Sequence, residues 1–341
     1  MTARDGRDAC GVGGMRAIDV VPSPLTLLLA ADVPHADRAV RAGDLVRLAR
    51  GVHTPAEAYR AAAPWDRYLT RVHAIALARP DAVFVMESAA ALRGLPVFGE
   101  PRDVHVVVES PHTSRATRGI RTHSADRLPQ IETLGGIRLA SAADVAVDAA
   151  RLRHPAIALG VACAALRADP GLSTAELARL NAERPSNRGA RRALWPLERA
   201  VPAPESVLES ISLAVIEWLG FPAPELQKWI RDDRLDFWWP QRAVAGEADG
   251  DVKYSGALGD ARAALRARSA RDARLLTRGV SATAHWGWSD VAAPRQLRAI
   301  LLAAGLRPER PEHPEPLRTL GLALASAPQR ETAPVHRDTR F

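Results

Sequence analysis

Asp236, Glu247 and Asp249, with Lys253 a few residues further on, are the residue types that hydrolysis of a phosphodiester requires. Carboxylates hold a hard cation such as Mg²⁺, which keeps several waters and accepts phosphate oxygens as its remaining ligands. An ammonium group beside them orients the attacking water or stabilises charge developing on phosphorus. Lys253 is informative because only two lysines occur among the 46 Lys and Arg residues of the chain. Composition uses arginine wherever a generic cation serves, yet a lysine is kept beside Glu247, Asp249 and Asp251. On one strand Glu247 and Asp249 point to the same face, and Asp236 on the preceding strand meets them across the sheet. Glu205 and Glu209 are one helical turn apart, so Glu209 presents a further carboxylate from the preceding helix. The competing reading makes Asp249-Gly250-Asp251 a turn and Asp236 a surface residue, because aspartate and glycine dominate turns. Against it stands Phe237-Trp238-Trp239, a buried-strand pattern beside which an unpaired acid is costly.

The elements that must position these groups form the best defined block, about 203–306. Its pattern predicts a helix over 205–219, stopped by Gly220-Phe221-Pro222. Strands follow at 226–231, 234–239 and 243–248, then an arginine-rich helix over 257–278, a strand at 280–286 and a helix at 294–304. The preceding block, 65–200, alternates helix and strand: helix 66–78, strand 82–86, helix 88–93, strands 104–109 and 119–123, then helices near 141–153, 155–167, 173–183 and 188–200. Ser173 and Glu176 form a capping box. The first block, 15–60, reads as a helix opened by Ser23-Pro24 and running to residue 31, a helix over 35–42, and a hairpin with strands at 45–49 and 52–53. Residues 1–14 have no hydrophobic period and are read as a disordered extension. Residues 307–341, rich in Pro, Arg, Glu and His, are read as a mostly disordered tail with a short apolar run at 317–325. The fold class expected is α/β (α+β).

With 341 residues, 47% hydrophobic and 25% charged, the chain has the composition of a globular protein of two or three domains. No apolar run approaches a membrane span and no signal peptide opens the chain, so the expected location is cytoplasmic with no membrane partner. Two cysteines, Cys10 and Cys163, exclude a disulfide framework or cysteine metal site. The net charge of +7 and pI near 10.3 favour a polyanionic partner, discounted because the arginine excess partly reflects base composition. Arg262, Arg266, Arg268, Arg271, Arg274 and Arg278 have only Asp260 and Asp272 as acids on their own helix, whereas six acids lie within 232–251. Segregated charge of this kind suits a phosphate-binding flank, with Arg262, Arg266, Arg271 and Arg274 as DNA contacts; the alternative is a solvated helix face. Trp286 and Trp288, with His285, read as core aromatics rather than a nucleotide stack. His105, His112 and His123 lack metal-ligand spacing and read as surface or satisfied side chains.

The third block resembles the very-short-patch-repair-like endonucleases of the PD-(D/E)xK superfamily. The matching residues are Arg234, Asp236, Trp239, Pro240, Gly246, Glu247, Asp249, Gly250 and Lys253, with Glu209 at the helix position. The resemblance implies a restriction-endonuclease-like domain, a Mg²⁺ ion held by Asp236, Glu247 and Asp249, and catalysis by these with Lys253 and Glu209. In this chain Asp249 occupies the superfamily's lysine position, two residues after the glutamate, and Lys253 is displaced beyond it. Active nuclease and inactive descendant both accord with that pattern.

Residues 38–53, ending in Arg50-Gly51-Val52-His53, resemble the winged-helix domain of AbiEi-type antitoxins, with His53 in place of the usual tyrosine. That resemblance implies a winged helix-turn-helix in which Arg38, Arg41, Arg47 and Arg50 contact DNA phosphates. It also implies a cognate toxin protein as a further partner. The function expected is a DNA-associated protein with a Mg²⁺-dependent endonuclease domain. The alternative is a non-catalytic DNA-binding transcriptional regulator or antitoxin of a type IV toxin-antitoxin system, with a degenerate nuclease fold.

Overall fold

The computed structural model describes residues 20–109, 115–117, 119–125, 128–249 and 258–325, the backbone alone at 258–264 and 325. The extension 1–14, His112, Asp251 and Lys253 therefore lie outside the described residues, as does the side chain of Arg262.

The chain begins with β1 (Leu28–Leu29), a 3-10 turn (Ala30–Asp32), α1 (Ala36–Ala42) and the hairpin β2 (Leu45–Ala49) and β3 (Val52–Pro55). These strands form an antiparallel sheet in the order β1-β3-β2. The helix expected from Ser23 to residue 31 does not form. The Ser23 hydroxyl donates to the Leu25 carbonyl at 2.7 Å, closing a turn instead of capping a helix. Leu28 then pairs with His53, and the Thr54 hydroxyl donates to the Thr26 carbonyl at 2.9 Å. Strand pairing thus satisfies backbone groups that a helix would have satisfied internally. Among the described residues, one seven-residue helix precedes the hairpin where a winged helix-turn-helix has two.

Next come α2 (Ala56–Ala61) and α3 (Pro64–Ala78), β4 (Val83–Phe84), α4 (Met86–Arg93), β5 (Val104–Glu109), β6 (Arg115–Thr117), β7 (Ile120–Ala125), β8 (Ile131–Leu134) and β9 (Ile137–Ala140). The strands β4 to β9 make a mixed sheet in the order β6-β7-β5-β4-β9-β8. Four helices follow, α5 (Ala142–Leu152), α6 (Pro155–Ala168), α7 (Thr174–Glu183) and α8 (Ala190–Arg199). Ser173 caps α7 by accepting from the Glu176 amide at 3.2 Å, the first half of the expected capping box, while the Glu176 carboxylate pairs with Arg179.

The C-terminal part comprises α9 (Val207–Trp218), β10 (Glu225–Ile230), β11 (Asp233–Trp239), β12 (Val244–Ala248), α10 (Leu258–Thr277), β13 (Ala282–Trp286), α11 (Trp288–Ala292), α12 (Pro294–Ala303) and α13 (Pro314–Ala325). The expected order of helix, three-strand meander, helix, strand and helix is present. β10, β11 and β12 are antiparallel, and β13 returns parallel to β12 at the far edge. One face of this sheet packs Phe237, Trp239, Val244 and Trp286 into the same core as α9. On the other face Leu235 and Ala245 meet Leu275 of α10.

Two boundaries differ from the sequence reading. The middle and C-terminal blocks share one continuous core, because α6 is apolar around almost its whole circumference and packs against α9. Gly160 permits that approach: a Cβ there would lie 3.3 Å from Val207 Cγ1. The region after 307 also docks on this core. Leu317, Leu320 and Leu324 of α13 are buried, and the Glu309 amide donates to the Gly220 carbonyl at 2.8 Å. Gly220, at φ +79°, is required there, since a Cβ would collide with the Arg310 carbonyl. Among the described residues, no helix is long and apolar enough to cross a membrane.

Candidate active site

Glu209, Asp236 and Glu247 come from α9, β11 and β12 respectively, and they meet where the sheet is locally irregular. The β11–β12 ladder runs from Trp239↔Val244 to Phe237↔Gly246 and then stops. One step further, the Ala248 amide donates to the Asp236 carboxylate at 3.0 Å, so a side chain substitutes for the missing backbone partner. On the other side, the pairs Leu226↔Phe237 and Lys228↔Leu235 place Gln227 opposite Asp236, and Gln227 has φ +52°. Leu235 packs with Leu275 of α10, whereas Phe237, two residues on, lies 5.0 Å from the Trp286 ring in the main core. The alternation of β11 therefore changes phase at Asp236, a local break that leaves the register with β10 unshifted. This break lets one aspartate face both the α9 carboxylate and the β12 carboxylate.

Glu209 is first a capping residue. Its carboxylate accepts from the amides of Glu205 at 2.8 Å and Ser206 at 3.0 Å, and the Ser206 hydroxyl accepts from the Glu209 amide at 3.1 Å. It also accepts from the Gln227 side-chain amide at 2.8 Å, and the same nitrogen lies 3.4 Å from Asp236 Oδ1. Glu247 is buried, and its Oε2 lies 3.0 Å from Arg271 Nη1, while its Oε1 is buried with no hydrogen-bond partner among the described residues. Gly246 precedes it because a Cβ would stand 2.6 Å from Trp286 and 2.9 Å from Trp239, whose indoles close over the strand.

Among the described residues, Glu209 and Asp236 have no ion-pair partner, whereas Glu247 has Arg271. Burial, then the charges of Glu209 and Glu247, push Asp236 up to about 8, against the opposing bonds from Ala248 and Gln227. Burial also raises Glu209 and Glu247, the latter opposed by Arg271.

Asp249 shares the Glu247 face but is engaged elsewhere. Its carboxylate is 2.9 Å from His285 Nδ1 and 2.9 Å from Arg268 Nη2. His285, paired with Glu247 in the parallel register, reaches Asp272 of α10 through its other nitrogen at 3.1 Å. Burial opposes the charge of His285, but the bonds to Asp249 and Asp272 outweigh it and raise its pKa. Asp249 thus stabilises the α10 contact instead of joining Asp236.

The arginine stripe of α10 is also largely committed. Buried Asp233 receives Arg274 at 3.0 Å and Arg278 at 2.7 Å, while Arg271 serves Glu247 and the Arg234 carbonyl. Arg266 is exposed and has no ion pair among the described residues. In the N-terminal unit Arg38, Arg41, Arg47 and Arg50 are exposed, with Arg47 3.2 Å from Asp37. Trp286 is core, donating to the Ser212 hydroxyl at 2.8 Å. His105 and His123 stack and satisfy each other at 2.9 Å.

Sequence reasoning paired the carboxylates but missed Gln227, Arg271 as the partner of Glu247, and the Asp249–His285–Asp272 chain. The signal for the capping role of Glu209, Ser206 three residues before it, was present. Among the described residues, no three His, Cys, Asp or Glu side chains are grouped as metal ligands. Asp236 and Glu247 remain a two-carboxylate donor set, which suits Mg²⁺ because that ion retains waters. No protein-family model matches the chain, and neither the curated proteins nor the solved structures contain a significant match to it.

Proposed function

We propose that the protein acts on DNA and that the α9–β13 unit is a Mg²⁺-dependent phosphodiesterase site of the PD-(D/E)xK kind. The observation that carries this reading is the convergence of three largely buried carboxylates, one pushed up to about 8, beside a buried Glu247 oxygen with no partner among the described residues. Natural proteins seldom keep such a group without a compensating ligand or role. Asp236 and Glu247 would hold the ion, with Glu209 behind Asp236. When bound, Mg²⁺ supplies Lewis-acid polarisation of a phosphate oxygen and a more acidic water. The Ala248 amide fixes the Asp236 carboxylate, and Arg271 fixes Glu247 while placing a guanidinium beside the phosphate position. Lys253 is assigned to the attacking water or the phosphate by sequence alone.

A second reading, a non-catalytic DNA-binding regulator or antitoxin with a toxin partner, is favoured by one observation: Asp249 stands at the superfamily's lysine position and is neutralised by His285 and Arg268. Nicking of supercoiled plasmid by purified protein separates the two. The nuclease reading expects Mg²⁺-dependent nicking that chelator, Asp236→Asn and Lys253→Ala each abolish. Nicking that is absent, or unchanged in Asp236→Asn, supports the regulator.

A further inference from the structure

Gln227 belongs to none of the residues that the sequence pattern assigns to the site, yet it lies at its centre. It sits on β10 opposite Asp236 with φ +52°, a left-handed conformation that is strained for a non-glycine residue. The strain has a geometric result: it turns the side chain across the end of the α9 cap, where one amide nitrogen reaches Glu209 at 2.8 Å and lies 3.4 Å from Asp236. The other end of the same amide, Oε1, is buried and accepts no hydrogen bond from the described residues. The group therefore satisfies two carboxylates with its donor end and leaves its acceptor end unsatisfied. An amide has nearly the same shape when turned by half a revolution, and its orientation is set by which neighbours need a donor.

Resting on the phosphodiesterase reading, we propose that Gln227 is the third protein ligand of the divalent cation, brought in by a turn of its amide. Without the cation, the amide NH₂ stands where positive charge is wanted, between Glu209 and Asp236. When the cation occupies the Asp236–Glu247 pair, the donor end is repelled and Oε1, a hard oxygen ligand, turns toward the ion. Two carboxylates and an amide oxygen leave the remaining positions to water and phosphate.

The test uses the full chain, with Mn²⁺ as probe for affinity and Mg²⁺ for NMR. Wild type is expected to bind one Mn²⁺ at a site that Asp236→Asn removes. Gln227→Met keeps the length of the side chain but not the oxygen, and should weaken that site about tenfold or more, as supporting metal-site residues typically do. Gln227→Glu, which supplies oxygens only, should restore binding. Independently of any variant, saturation with Mg²⁺ should shift the Gln227 side-chain NH₂ resonances as their bonds to the carboxylates break. An Asp236-dependent Mn²⁺ site that is equally tight or tighter in Gln227→Met, or NH₂ resonances unmoved by Mg²⁺ at saturation, overturns the ligand assignment and leaves the phosphodiesterase reading standing. Absence of any Asp236-dependent Mn²⁺ site in wild type overturns both.

Discussion

Replacing Asp236 by asparagine should flatten the pH dependence of stability in metal-free protein. An unfolded aspartate ionises near pH 3.9, whereas burial and the charges of Glu209 and Glu247 push the folded Asp236 up to about 8. Between those values the folded state keeps a proton that the unfolded state has released, so stability falls as pH rises. The slope for one such group is about 1.4 kcal/mol per pH unit, which gives a loss of roughly 3 kcal/mol between pH 5 and pH 7. The cost is complete above about pH 8 and absent below the unfolded value. His285 acts in the same direction: its raised pKa gives stability that is full below about 6.5 and lost as pH rises through the folded value. Glu209 and Glu247, also raised, add to the trend. Comparison with Asp236→Asn isolates the one residue, because the asparagine still accepts from the Ala248 amide and carries no charge. Urea unfolding in chelator, followed by the fluorescence of the buried Trp239 and Trp286, reads the difference at each pH. Wild type and variant curves that stay parallel from pH 5 to pH 7 would show that Asp236 is ionised in the folded protein. The inference that burial beside Glu209 and Glu247 keeps Asp236 protonated would then fail.

Other consequences follow from the same packing. Gly246→Ala forces a methyl group into the Trp239 and Trp286 rings and should cost about 1–3 kcal/mol in urea unfolding. Leu320→Ala on α13 should cost about 2–5 kcal/mol, a loss that a disordered tail would not show. Arg271→Ala leaves the buried Glu247 carboxylate without its cation and should destabilise by about 3–5 kcal/mol, with Glu247→Gln in the same chain recovering much of it in thermal unfolding. For DNA affinity, Gln at Arg274 and Arg278 should leave the salt slope unchanged because Asp233 already neutralises them, whereas Gln at Arg38, Arg41, Arg47 and Arg50 should reduce it by about 0.9 for each phosphate that the arginine had neutralised. Titration of binding against salt decides between the two sets.

The parts of this chain that the sequence made legible are those whose information is local. Helices α3 and α5 to α10 carry their own periods, α5, α7 and α9 open on serine caps, and Asp236 and Glu247 could be paired because their strands are consecutive. What was not legible depends on partners distant in sequence. The helix read from Ser23-Pro24 gave way to pairing between Leu28 and His53. The arginines of α10 looked free because Asp233, which takes Arg278, lies 45 residues away. α13 spaces Leu317, Leu320 and Leu324 along one face, but prolines and charges around it masked that short pattern, and only the existing core gives it somewhere to dock. Gln227 is the clearest case, because glutamine has no charge or spacing to mark it. Its place between two acids follows from a left-handed backbone and a missing ladder pair opposite Asp236, and neither is a property of residue type. A site of this kind is half encoded in the acids that identify it and half in the irregularity that brings them together, so sequence reading finds the first half and misses the group that ties them.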